Sequence, residues 1–342
     1  RGAGRIVKPF AYERAADVDG ARAALAARGD GARYLAGGTN LVDLMKLGVE
    51  APTHLVDVAH LPLGAIEPTA GGGLRIGAAV TNSGLGADMA VRERWPVLSE
   101  ALLSGASGQL RNLATVGGNL LQRTRCAYFQ DVGKPCNKRA PGTGCPAREG
   151  DHRNLAILGH STACVATHPS DMAVALTALG ATVHVEGDGG PRAIPMPGLH
   201  RLPGEEPQRD TVLAPGDLIT AVELPPPLGG ERPAPARYRK VRDRASYAFA
   251  VVSIAAIADV APDGTLREAR IAFGGLAHVP WRAERAEELL SGAPATAETF
   301  ARAADAELAG ARPLRDNAFK VGLARNLLIA TLTELTATKA TA

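Results

Sequence analysis

Four cysteines constrain this chain more than any other feature. Cys126, Cys136, Cys145 and Cys164 are its only cysteines, and they follow the spacing C-x9-C-x8-C-x18-C. Turn-forming and basic residues crowd around them, including Lys134, Pro135, Lys138, Arg139, Pro141, Gly142, Gly144, Pro146, Arg148, Gly150 and Arg153. Such a segment buries little of its own, so something must pin it. Four soft sulfur donors in one loop suit an iron–sulfur cluster or a metal ion. Two disulfides and a zinc site are the competing readings. The chain is 46% apolar and can build its own core, which weighs against disulfides. The spacing lacks the close cysteine pairs of structural zinc sites.

Two glycine turns flank apolar segments on the N-terminal side of the cysteines. The first is Gly37-Gly38-Thr39-Asn40, between a short strand at 32–36 and a helical LVDLMKLG. Strand, glycine loop and helix is the arrangement in which backbone N–H groups meet a phosphate. The sequence is not G-x-G-x-x-G, so a Rossmann fingerprint is absent. The second turn is Thr115-Val116-Gly117-Gly118-Asn119. One Gly-Gly pair is ordinarily just a turn. Two of them fit a long diphosphate ligand gripped from two sides, because glycine lets backbone approach phosphate. Past Cys164, Ser170 or Asp171 caps a helix MAVALTALGA.

Further strands are predicted at 53–58, 74–80, 181–187 and 218–224, and helices at 17–29 and 95–105. Residues 225–235, PPPLGGERPAP, form the clearest linker. Beyond it, strands at 236–241, 248–260 and 266–273 precede helices at 281–290, 295–309 and 318–338. That is a small antiparallel sheet backed by helices. A net charge of +3 is too weak to argue for nucleic acid. No run of eighteen apolar residues suggests a membrane span. The start, RGAGRIVKPFAYERA, has no apolar stretch of a secretory signal. It begins with Arg1 rather than Met, which points to a missing N-terminal piece.

The segments LAGGTNL (35–41), QLRNLATVGGNL (109–120), PSDMAVAL (169–176) and LITAVELP (218–225), in this order and spacing, resemble the FAD-binding subunits of the molybdenum hydroxylases. That family includes xanthine dehydrogenase and carbon monoxide dehydrogenase medium subunits. The likeness runs through nearly the whole chain, including YRKVRDR after the linker. Ordinary members join the second glycine turn to the Ser-Asp helix by a short connection without cysteines. The RTRCAYFQD…CNKR…GC…HPSD pattern is instead similar to the FAD subunit of bacterial periplasmic aldehyde oxidoreductases, in which an insertion carries a [4Fe–4S] cluster. Benzoyl-CoA-type reductases of the same family also carry a cysteine insertion here.

The resemblance implies an α+β, vanillyl-alcohol-oxidase-like FAD-binding fold of two subdomains (about 1–58 and 59–225, with the iron–sulfur insertion at 123–168). A linker at 226–235 and a C-terminal α+β domain at 236–342, with a three-stranded antiparallel sheet, would follow. Leu35, Ala36, Gly37, Gly38, Thr39, Asn40, Leu41 and Val42 would wrap the FAD pyrophosphate. Thr115, Gly118 and Asn119 would add the second grip. Asp171 would face the ribose and adenine end, Ile219 would contact adenine through its backbone, and Lys240 would approach the flavin ring. Cys126, Cys136, Cys145 and Cys164 would hold the cluster, in a field made positive by Arg123, Arg125, Lys134, Lys138 and Arg139. A large partner subunit with the molybdenum cofactor would oxidise the substrate. A small subunit with [2Fe–2S] clusters would deliver electrons to this FAD, which passes them to an external acceptor. Export of the complex on a partner's signal would place it in the periplasm, with the cytoplasm as the alternative. Outside this family the readings are a zinc-stapled binding protein without redox activity and a self-contained flavin oxidase. A related xanthine dehydrogenase or benzoyl-CoA-type reductase subunit is the alternative within it.

Overall fold

A computed structural model describes residues 7–337 and arranges them as three sheets with helices around and between them. The first sheet is parallel. Ala11–Arg14 and Ala32–Leu35 flank a central His54–Asp57 whose four residues are all buried. Parallel neighbours need crossovers, supplied here by the helices Val18–Arg28 and Leu41–Leu47. Asp17 caps the first, its carboxylate accepting from Gly20 N at 2.7 Å. Gly48, at φ 72°, ends the second in the left-handed turn that glycine adopts without cost.

The second sheet is antiparallel. Its order is Ile66–Pro68, Leu74–Gly77, Leu218–Leu224, Thr182–Gly187, Gly190–Pro195. Leu218–Leu224 is central, which explains its nearly unbroken apolar run. The third sheet, also antiparallel, runs Trp281–Arg282, Leu266–Gly274, Val252–Val260, Ala236–Val241. Against its outer face pack the helices Glu284–Leu290, Ala297–Leu308 and Phe319–Ala337, around Phe273, Phe300 and Leu328.

The helix Asp171–Leu179 joins the second and third sheets. All nine of its residues are buried, as expected of a helix covered on every side. Met172, Val174, Leu176 and Leu179 share one core with Ile76, Val183 and Val222 of the second sheet and with Ala255 and Ala272 of the third. Each such large apolar side chain contributes roughly 1.5–3 kcal/mol when fully buried. The cavity described below is therefore framed by rigid elements.

The structure differs from the sequence reading at two places in the third sheet. The C-terminal sheet has a fourth strand, Trp281–Arg282, where a helix from residue 281 is predicted. Those two residues pair with Phe273 and Ala272 and complete the edge, and the helix begins at Glu284. The strand expected from 248 begins at Val252, because 242–251 turn out over the cavity with Tyr247 at φ 52°. Thr338, where the last helix is predicted to end, lies outside the described residues.

Candidate functional site

The two glycine turns meet. A Cβ on Gly37 would lie 1.8 Å from the carbonyl oxygen of Leu113, two residues before the second turn begins. A Cβ on Gly118 would come within 4.0 Å of Ala36 Cβ. Only glycine permits the first contact, so Gly37 is fixed by the approach of one turn to the other rather than by a bend of its own. Gly38 has φ +69° and does make the bend. In the second turn Thr115 caps the short helix Val116–Leu120, its Oγ1 accepting from Gly118 N at 3.2 Å. Asn82 N and Val116 N bind backbone carbonyls of Ala114 and Val80, which locks this turn to the second sheet.

Beside the paired turns lies a cavity of about 1320 Å³. Ala36, Gly37, Gly38, Thr39, Asn40, Leu41, Val42, Thr115, Gly118, Asn119, Asp171, Ile219 and Lys240 all line it. Leu35 does not. It ends its strand opposite Asp57, and its side chain stands near Gly38, supporting the turn from behind. The walls also carry unspent hydrogen-bonding capacity. Asn40 Oδ1 accepts from Arg123 N at 2.9 Å while its buried Nδ2 has no partner, and Asn82 Oδ1 is likewise unpartnered. Buried polar atoms are normally satisfied, so these atoms, on residues of the cavity wall, suit a polar ligand.

Asp171 and Lys240, expected to face different parts of an extended ligand, are bonded to each other. Lys240 Nζ donates to Asp171 Oδ2 at 2.8 Å and to Ser104 O at 3.2 Å. Tyr238 Oη donates to Asp171 Oδ1 at 2.5 Å. Burial, and then the carboxylate, push the Tyr238 phenol well above its usual pKa. Ser170, not Asp171, is the cap of its helix, accepting from Ala173 N at 2.9 Å. Sequence reasoning missed Arg111, Asn82, Tyr247, Phe249 and the Gly274-Gly275 pair, all of which line the cavity. Of these only the glycine pair carried a local signal. Gly275 has φ +75° and a Cβ there would meet Val251 O at 2.7 Å.

The four cysteines gather around one small second cavity, and Cys126 lines both. None is disulfide-bonded, and three of the four are buried. Phe129, Ala147, Leu155, Val165 and Ala166 pack around them. Burial pushes the thiols of Cys126 and Cys145 up and that of Cys164 to about 12, while backbone N–H groups near each sulfur pull the other way. Among the described residues, no group of three or more His, Cys, Asp or Glu side chains is arranged to hold a single metal ion.

The segment expected to need a cofactor to pin it is held by protein contacts from both sides. Lys138, fully buried, donates to Pro207 O at 2.7 Å and pairs with Asp210. Arg123 bridges Asp210 at 2.9 Å and Glu50 at 2.6 Å. These two cations hold the Asp210 carboxyl well below the usual range in spite of its burial. On the other side Asn317 Nδ2 reaches the carbonyls of His152, Leu155 and Ala156, each at 3.3 Å. Lys320 Nζ donates to Leu155 O at 3.0 Å and to Gly275 O at 2.8 Å. The positive field expected around the cysteines is accordingly weakened, since Arg123 and Lys138 are balanced by acids and Arg139 is spent on the carbonyls of Tyr128, Phe129 and Lys134.

Comparison with known proteins agrees with this geometry. Residues 8–227 match the FAD binding domain in molybdopterin dehydrogenase, and residues 236–335 match the CO dehydrogenase flavoprotein C-terminal domain. Over 331 residues the chain is 54% identical to the aldehyde oxidoreductase FAD-binding subunit PaoB of Escherichia coli (strain K12), covering 96% of this chain and 98% of that one. It is 28% identical to the carbon monoxide dehydrogenase medium chain of Afipia carboxidovorans, over 83% of this chain and 80% of that one. In structure it is similar to CO dehydrogenase from Oligotropha carboxidovorans, with a TM-score of 0.76 over 97% of this chain and 99% of that one, at 23% identity. The last likeness bears on the fold alone. With a cavity built where the two glycine turns meet, and with family matches spanning both halves, the chain belongs to the FAD-binding subunits of the molybdenum hydroxylase family of oxidoreductases.

Proposed function

We propose that this chain is the FAD- and [4Fe–4S]-carrying electron-transfer subunit of a molybdenum-dependent aldehyde oxidoreductase. In this reading it accepts electrons from a [2Fe–2S] partner subunit and passes them to an external acceptor. The observation that carries it is the convergence of four cysteines, distant in sequence, on one apolar pocket whose wall continues into the large cavity through Cys126. The relative at 54% identity is named as the FAD-binding subunit of an aldehyde oxidoreductase, which supports the substrate class of the assembly. The cysteine spacing lacks the close pairs of structural zinc sites, which favours a multi-iron cluster over zinc. The free space between the thiols, about 10 Å³, is one water site, so loading must part the side chains.

FAD, when bound, supplies the ability to take up electrons singly and release them in pairs. The protein's part is to bind and orient. Gly37 and Gly38 offer a backbone surface without side chains, and Asn40 and Asn82 offer unpartnered polar atoms. The Lys240–Asp171–Tyr238 chain fixes a buried charge pair in the wall. Because Glu50, Asp210, Asn317 and Lys320 already hold the insertion, the cluster is read as a redox centre rather than as a staple. Export of the assembled complex to the periplasm on a partner's signal remains part of the proposal, and cell fractionation tests it. For the cofactors, the purified chain should show flavin absorption and contain about four irons and four sulfides per chain. A colourless, zinc-containing protein would end the reading.

A further inference from the structure

Three histidines, His200 and His278 buried and His168 half-buried, stand behind the second glycine turn, and the cofactor contacts above do not use them. The rings of His168 and His200 lie 4.2 Å apart, centroid to centroid, at 60°. His278 is the third, and its Nε2 lies 3.8 Å from Asp210 Oδ1. His200 Nδ1 and His278 Nε2 have no hydrogen-bond partner, and the His168 ring lies against the Leu120 carbonyl that His200 also reaches. The engaged atoms fix the tautomers. His168 Nδ1 accepts from Ser170 N at 3.3 Å, so its Nε2 carries the proton, on the side of the Leu120 carbonyl. His200 Nε2 donates to Leu120 O at 2.9 Å, and His278 Nδ1 donates to Arg201 O at 2.8 Å, so their free nitrogens are bare lone pairs.

We propose that His168, His200 and His278 form a proton-binding site coupled to the cofactor cavity. His168 contributes to the cavity wall, and Leu120, whose carbonyl His200 holds, ends the glycine-turn helix. The coupling rests on the flavin reading given above. The other charged groups facing the cluster are Asp210 and Lys138, with Arg123 and Glu50 one step further along the same network. The acids and bases of that network balance, so an added proton is the only uncompensated charge. Burial holds all three rings neutral at rest, with His278 at about 4. Electrons placed in the adjacent cavity reverse this, because buried negative charge favours a nearby cation. The balance is as follows. Two electrons and one proton reduce the flavin, and a further proton from solvent, entering on the Asp210 side, forms an N–H bond on the histidine cluster. No other oxidant or reductant is needed.

Side-chain 15N NMR of the full chain tests the cluster itself, with dithionite as reductant and His200→Gln and His278→Gln for assignment. The expected oxidised spectrum at neutral pH has Nε2–H tautomers for His168 and His200 and Nδ1–H for His278. On acidification the three rings should share one proton rather than titrate separately. On reduction, a pH-indicator dye should record about one proton more per two electrons in the wild type than in His278→Gln. Other tautomers, or three independent titrations, would overturn the cluster. Equal proton uptake in both proteins would overturn the coupling. Absence of flavin absorption would instead count against the cofactor reading, and the tautomers and titration would still decide the cluster.

Discussion

Lys320 gives the sharpest test of how the insertion is held. Its ammonium is fully buried and donates to two backbone carbonyls, and the neighbouring charge, Arg153, is of the same sign. Burial, and then Arg153, lower its pKa from 10.5 to about 7. That displacement corresponds to roughly 5 kcal/mol, at about 1.4 kcal/mol for each tenfold change. The sign follows from proton counting. Between pH 7 and 10.5 the unfolded chain keeps the proton and the folded chain has lost it, so folding gains stability as pH rises through that window. Below pH 7 both states are protonated and the destabilisation is at its full size. The Lys320→Met variant removes the titration and leaves two carbonyls short of a donor. Urea unfolding of both proteins at pH 7, 8, 9 and 10 should show the wild type gaining on the variant by about 1.4 kcal/mol per pH unit. The buried cysteines titrate alike in both proteins and cancel in the difference. Parallel pH profiles would refute the reasoning, since they would mean that the ammonium keeps its proton in the folded state.

Gly37→Ala should abolish flavin retention, because its Cβ would fall 1.8 Å from Leu113 O; flavin absorbance after gel filtration reads this directly. Asp210→Ala leaves buried Lys138 without its acid and should cost about 3–5 kcal/mol in unfolding free energy. Cys136→Ser should lose iron yet keep its circular dichroism, and its unfolding free energy in urea should stay within about 1 kcal/mol, because protein contacts hold the segment; collapse of the fold would make the cluster a staple after all. Tyr238→Phe removes a donor to Asp171 and should lower stability by about 1–3 kcal/mol without changing iron content, as read by urea unfolding and iron assay.

What could be read from the sequence was what depends on neighbours along the chain. Asp17, Thr81 and Ser170 cap helices as their positions suggest, and Leu218–Leu224 is a strand over the predicted residues. Both glycine turns line the cavity because turn chemistry is local. What escaped depends on residues far apart. Nothing near Lys138 announces Asp210, and nothing near Leu155 announces Asn317 or Lys320. Arginines and lysines in a loop read as free positive charge until their acids are located. The strand Ala11–Arg14 is too short to show an alternation, and Trp281–Arg282 is defined by the edge it covers rather than by its own pattern. Asp171 and Lys240 lie in different halves of the chain, and only the packing of the helix Asp171–Leu179 against the third sheet brings them within bonding distance.

The double grip on the cysteine segment also sets an order of events during synthesis. One clamp, Asp210, is made soon after the cysteines themselves, but the other, Asn317 and Lys320, lies near the end of the chain. A ribosome still translating the C-terminal half has released all four thiols while one side of their cage is missing. Iron delivered at that stage would meet an open, mobile loop; iron delivered after termination would meet a shaped one. On the proposed cluster reading, the complete cage around the thiols exists only once the final helix has emerged.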